Sequence, residues 1–285
     1  MTETKVKRNY KDSLFLMLFK NKENLLSLYN AVNGTQYTNT DDIEITTLEN
    51  AIYMSYKNDI SFVFDFELML YEHQSTINPN MPLRDLFYVT KVLQGLVRNE
   101  HLYNASIIKL PTPRFIVFYN GTKKYPQKQI LKLSDAYEKK IDLPELELIV
   151  TIYNINIGNN AELLNTCQVL KEYAQYVELV RKYARELPIA EAVEKAVDFC
   201  IENEILADFL KKNRAEAIEV SIYEYDEEEH MKLEREFGYK EGIKEGENRL
   251  VKLLQCITAD KRDKETNRIL ADAEYREKLY KEYKI

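Results

Sequence analysis

Residues 59–74, DISFVFDFELMLYEHQ, constrain the fold more than any other stretch of the chain. Aromatic and branched side chains crowd into two short runs on either side of Asp65, a composition that favours a pleated, half-buried surface. The segment therefore predicts a β-hairpin that turns at Asp65. Successive strand side chains point to opposite faces, so Glu72 and Gln74 share one face while His73 points away. If the two runs pair, Asp59 and Glu72 reach the same open end of the sheet. Two carboxylates held there suit a hard cation such as Mg²⁺, with a strand carbonyl, that of His73, as a further ligand. On the residues alone, a solvated strand end is the alternative, because an acid followed by a polar residue is common at strand ends.

The elements around the hairpin follow from periodicity. SLFLMLFKNKENLLSLYNAVNG has helical spacing with a break at Asn21 and a stop at Gly34. After the loop NPNMP, Pro82 opens a helix in which Leu86, Val89, Leu93 and Val97 repeat at helical spacing. RFIVFYNGT reads as a buried strand closed by Asn120-Gly121, and LELIVTIYNIN as a long β-branched strand. Helix, strands, helix, strand, variable segment, strand predicts an α/β fold with a mixed sheet of four or five strands flanked by helices. From about residue 160 the chain reads as helical throughout. Domain boundaries are expected near 158 and 238, giving a core over 1–158, a helical extension over 159–237 and a tail over 238–285.

Composition excludes several classes. With 45% hydrophobic and 31% charged residues among 285, a buried core is expected and global disorder is not. Cys167, Cys200 and Cys256 are odd in number and far apart, without a CxxC pair, so a disulfide framework or a structural zinc site is not expected. His73, His101 and His230 are equally scattered. Neither a signal-like h-region nor a long apolar run is present, so no membrane contact and a cytoplasmic location are expected. The net charge of −7 is local: residues 216–237 hold nine acids and two bases, which leaves 38 of each elsewhere. Charge thus neither indicates nor excludes phosphate binding by the rest of the chain.

The remaining polar residues carry competing readings. Arg84, one turn into the helix that Pro82 opens, could meet a substrate phosphate or an acid beside it; Lys91 and Tyr88 read as a solvated position and a core position. His73 reads as packing, and Tyr119, Asn120 and Gly121 as shaping a strand exit. DEEEH at 226–230 reads as a solvated helix face or a partner surface rather than a metal site. Gly238, Gly242 and Gly246 stand four apart, which suits a close helix–helix contact or a slippage-prone repeat, with a homo-oligomer through the C-terminal helices as one outcome.

Taken together, KDSLFLMLF, KNDISF, LYEHQSTINPNMPLRDLFY and FIVFYNGT resemble the recombination-promoting nuclease family, whose members also carry a transposase label. The likeness spans roughly residues 8–235, and the acidic helix with the glycine repeat beyond it also resembles that family. The resemblance implies a restriction-endonuclease-like core of the PD-(D/E)XK superfamily and a Mg²⁺-dependent endonuclease acting on DNA, with Mn²⁺ as a substitute ion, linked to recombination or mobile elements. It further implies that Asp59 is the motif aspartate, Glu72 the second acid and metal ligand, and Asp12 an accessory acid, although Asp12 also suits a helix cap. Gln74 stands where the superfamily usually has lysine. An amide can orient water and donate to a phosphate oxygen but brings no positive charge. A non-catalytic DNA-binding or regulatory module on the same fold is the alternative.

Overall fold

A computed structural model describes residues 13–46, 59–97 and 105–285, with backbone alone for 226–237. Asp12 and His101 lie outside the described residues, as does the side chain of His230. The chain divides into two compact units, Met1–Tyr225 and Asp226–Ile285.

The first unit is built on the predicted hairpin. Strands β1 (Glu44–Ile45), β2 (Ile60–Phe64) and β3 (Glu67–Gln74) pair antiparallel in sequence order. Asp65 and Phe66 form the two-residue turn between β2 and β3, with φ of 48° and 60°. Such left-handed pairs match the twist of the flanking strands, and Asp tolerates the conformation better than Phe. Strands β4 (Thr112–Tyr119), β5 (Lys128–Lys132) and β6 (Ile149–Asn154) complete the sheet. Its order is β1-β2-β3-β4-β6-β5; β4 is parallel to both β3 and β6, while β5 is antiparallel to β6. The α/β class and the mixed sheet agree with expectation. Six strands rather than four or five are present, the extra pairing coming from two-residue β1 and from β5, an edge strand of alternating exposure.

Parallel strands need a long crossover, and helix α3 (Met81–Leu96) supplies the one between β3 and β4. Its stripe of Met81, Tyr88, Val89 and Val92 packs with Leu68, Leu70, Val117, Val150 and Ile152 on one sheet face. On the other face, Phe62, Met69, Tyr71, Ile116 and Phe118 belong to a core shared with helices. These are α1 (Leu14–Phe19), α2 (Lys22–Asn33), α4 (Ala161–Thr166), α5 (Gln168–Tyr183), α6 (Ile189–Glu202) and α7 (Ala207–Lys212). The helices that follow residue 158 therefore share a core with the sheet: Leu170, Tyr173, Val197 and Leu210 are buried in it. Ser13 and Asn21 cap α1 and α2 by accepting from Leu16 and Asn24 N–H groups, and Gly34, at φ 69°, ends α2. Phe62 and Tyr71 are fully enclosed, so truncating either to Ala costs about 3–5 kcal/mol.

Helix α8 (Arg214–Ala259) gives Ala217 and Val220 to that core, and Leu253 and Ile257 to the small core of the second unit. Helices α9 (Thr266–Ala271) and α10 (Ala273–Tyr283) complete the latter with Ile269, Leu279 and Tyr280. Gly238, Gly242 and Gly246 are exposed on α8, and a Cβ at any of them would meet nothing within 4 Å. Among the described residues no helix is long and apolar enough to cross a membrane.

Candidate functional site

The C-terminal ends of β3, β4 and β6 lie side by side, which is where open α/β sheets offer room for ligands. Gln74 is level with Tyr119, and Tyr119 with Asn154. Beyond the strands, the Asn120 N–H donates to the Gln74 carbonyl at 2.9 Å. Gly121 is required there: a Cβ would come within 2.0 Å of the Ser75 carbonyl oxygen. The Asn-Gly pair thus closes the strand exit tightly against the end of β3.

Alternation along β3 divides this strand end into two environments. On the α3 face, the last β2–β3 pair is Ile60 with Tyr71, so one further step sets Asp59 opposite Glu72. Residues directly opposite in an antiparallel pair have Cβ atoms about 5 Å apart on the same face. The Asp59 carboxylate accepts the His73 backbone N–H at 2.7 Å. Glu72 is buried and receives Arg84 Nη2 at 3.0 Å and Gln74 Nε2 at 3.3 Å on the same oxygen, Oε1. Gln74 Nε2 and Arg84 Nη1 also reach Met81 Sδ, at 2.7 and 3.3 Å. Burial holds the Glu72 carboxyl well above the usual carboxylate range; Asp59 and Asp85 add to this, while Arg84 and the Gln74 hydrogen bond offset part of it. Asp85, 4% exposed, is pushed up to about 7 by burial, with Arg84 opposing.

On the α5 face the groups are packed and hydrogen-bonded, with the Glu224 carboxylate near Tyr173 accepting the Leu14 N–H at 3.2 Å. The His73 ring stacks on Phe15 at 5.0 Å between centroids, and its Nε2 lies 3.0 Å from the Tyr173 hydroxyl. Burial, helped by Arg181, lowers the His73 pKa to about 3, so the ring is uncharged at neutral pH. Arg181 Nη1 donates to Asn120 Oδ1 at 3.0 Å and to Asn156 Oδ1 at 3.2 Å, while Nη2 donates to the Asn120 carbonyl. Asn154 Oδ1 in turn accepts from the Asn156 backbone and side chain at 3.1 and 2.9 Å. Buried Asn120 Nδ2 has no partner among the described residues.

Asp59, Glu72, Gln74 and Arg84 are thus brought together, and Asp12 falls outside the described residues. Of the two readings open for Arg84, an acid beside it is what the structure contains. Tyr88 is in the core with its hydroxyl 3.2 Å from Ser61 Oγ, and Lys91 is exposed. Sequence reasoning missed Asp85, although Met81, Asp85 and Val89 at i, i+4 and i+8 put it on the buried stripe of α3. It also missed Arg181, about sixty residues from the Asn120 that it holds, for which no local signal exists.

Compared with known protein families, curated proteins and solved structures, the chain matches none. The chemistry must therefore be read from the geometry. Among the described residues, no group of three or more His, Cys, Asp or Glu is arranged to hold a metal. The strand end offers two carboxylates instead, set opposite each other and backed by an amide and a guanidinium. Buried Cys167 and Cys200 are not nucleophiles of this site, since burial raises both thiols, Cys200 to about 12.

Proposed function

We propose that the chain is a divalent-metal-dependent endonuclease that hydrolyses DNA phosphodiester bonds, on a restriction-endonuclease-like core of the recombination-promoting type. The observation that carries this reading is that Asp59, one step before the Ile60–Tyr71 pair, reaches Glu72 where β2 begins and β3 ends, with its carboxylate on the His73 N–H. The donor set fits Mg²⁺, which keeps several waters and is commonly bound through only one or two carboxylates. Asp59 and Glu72 would hold the ion, which supplies charge neutralisation at phosphate and a more acidic bound water. Asp59 is oriented for this by the His73 N–H, and Glu72 by Gln74. Gln74 presents an amide that can position a water and donate to a phosphate oxygen. The buried α3 contacts exclude bulk water from the rear of the site.

The test is plasmid nicking by the full chain with Mg²⁺ or Mn²⁺. The wild type is expected to nick, and Asp59→Ala and Glu72→Ala to lose activity by roughly 100-fold or more, since metal stabilisation of phosphate charge is worth several kcal/mol. Equal nicking by all three proteins rejects the site. The uncharged Gln74 and the Arg84–Glu72 ion pair favour a second reading, a non-catalytic DNA-binding or regulatory module. DNA binding with no calorimetric response to millimolar Mg²⁺ or Mn²⁺ supports that reading instead.

A further inference from the structure

Arg84 is the cation that offsets the acids around Glu72, and three features of its contact are unlike a fixed structural ion pair. Its hold on the carboxylate is single, one nitrogen on one oxygen at 3.0 Å, where a locked Arg–carboxylate pair is commonly bidentate. Its second contact is the Met81 thioether at 3.3 Å, a weak acceptor. Its side chain is 24% exposed against 9% for Glu72, so Arg84 is the more solvent-accessible partner of the pair. Gln74 beside it shares the same two partners, Glu72 Oε1 and Met81 Sδ, and contributes no charge.

We propose that Arg84 is the exchangeable positive charge of the site: it rests on Glu72 in the metal-free chain and passes to a backbone phosphate oxygen of DNA when a divalent cation takes Glu72. This deepens the endonuclease reading and rests on it. Arg84 competes with metal for Glu72 Oε1, yet supports DNA binding once metal is bound. The guanidinium fork suits a phosphate better than it suits the single oxygen that it now contacts. Metal and DNA then favour each other through one side chain, a coupling that is reciprocal by linkage.

The experiment measures Mn²⁺ affinity by calorimetry, and affinity for a short DNA duplex by fluorescence anisotropy with Ca²⁺ and with chelator. Wild type, Arg84→Gln, Arg84→Lys, Arg84→Gln/Gln74→Lys and Asp59→Asn are compared as full chains. Arg84→Gln is expected to bind Mn²⁺ several-fold more tightly. It should bind DNA about tenfold more weakly in Ca²⁺, the size of one lost charge-assisted contact. Arg84→Lys should keep most DNA affinity, and Gln74→Lys should restore it in the Arg84→Gln background; a purely structural ion pair gives neither effect. Unchanged or weaker Mn²⁺ binding by Arg84→Gln, or DNA affinity indifferent to residue 84, overturns the inference. If Asp59→Asn abolishes Mn²⁺ binding while Arg84→Gln changes nothing, only the role of Arg84 falls. If the wild type binds no Mn²⁺, the endonuclease reading falls as well.

Discussion

The two faces of the β3 strand end differ in how they treat charge. On the α5 face, an uncharged His73 is stacked and hydrogen-bonded, Arg181 donates to Asn120 and Asn156, and Glu224 is a single carboxylate near Tyr173. On the α3 face, Asp59, Glu72 and Asp85 are gathered with Arg84 as the offsetting cation, and two of the acids are pushed far from their ordinary range. A strand end built only for stability has no use for that second arrangement, because gathered, desolvated carboxylates destabilise the fold that holds them. In the proposed endonuclease the α3 face is the working side and the α5 face its support.

The largest expected effect separates the faces by activity. Glu72→Gln should reduce Mg²⁺-dependent nicking by roughly 100-fold or more while the protein stays folded, whereas His73→Gln should leave nicking within a few-fold of wild type. Comparable losses from both, in folded proteins, would erase the distinction.

The faces should also respond to pH with opposite sign. In the folded chain Asp85 keeps its proton up to about pH 7, whereas an unfolded Asp releases it near 3.8. Its contribution is complete below about pH 4 and is lost as pH rises through 7, an effect of about 4 kcal/mol. Raised Glu72 acts in the same direction. His73 stays neutral in the folded chain down to about pH 3, whereas an unfolded His gains a proton near 6.5. Its contribution is complete above about pH 6.5 and is lost as pH falls through 3, by a similar amount. The two slopes oppose each other in the wild type. Urea unfolding in chelator at several pH values should therefore give Asp85→Asn a stability that rises more steeply with pH than wild type, and His73→Gln one that falls more steeply.

Breaking the support comes next in size. Arg181→Met strands Asn120 and Asn156 oxygens that the guanidinium now satisfies, and should cost about 3 kcal/mol in chemical denaturation. The smallest effect is expected at the opposite end of β3. Phe66, 88% exposed at φ 60°, carries a conformation that glycine adopts without strain, so Phe66→Gly should stabilise the chain by about 1 kcal/mol and leave the strand-end chemistry unchanged.

These regions were not equally legible in the sequence. The β2–β3 hairpin is written in local alternation, which also fixes the separation of Glu72 and Gln74 from His73; Asn21 and Gly34 likewise mark helix ends by local chemistry. Strand β5 was missed because Lys128, Ile130 and Lys132 are its exposed positions on a sheet edge, leaving no buried stripe to detect. The extent of the first core was also hidden, since amphipathic helices beyond residue 158 show an apolar face without showing what covers it. Asp85 was readable in principle from the i, i+4 stripe of α3. Arg181 was not, because its contacts with Asn120 and Asn156 join segments that only the fold brings together.

The most direct test is anomalous scattering from crystals of the full chain grown with Mn²⁺. An anomalous peak is expected between the Asp59 and Glu72 carboxylates, with the Arg84 guanidinium withdrawn from Glu72 Oε1. A site filled instead by an unbroken Arg84–Glu72 pair, with Mn²⁺ elsewhere or nowhere, would contradict it.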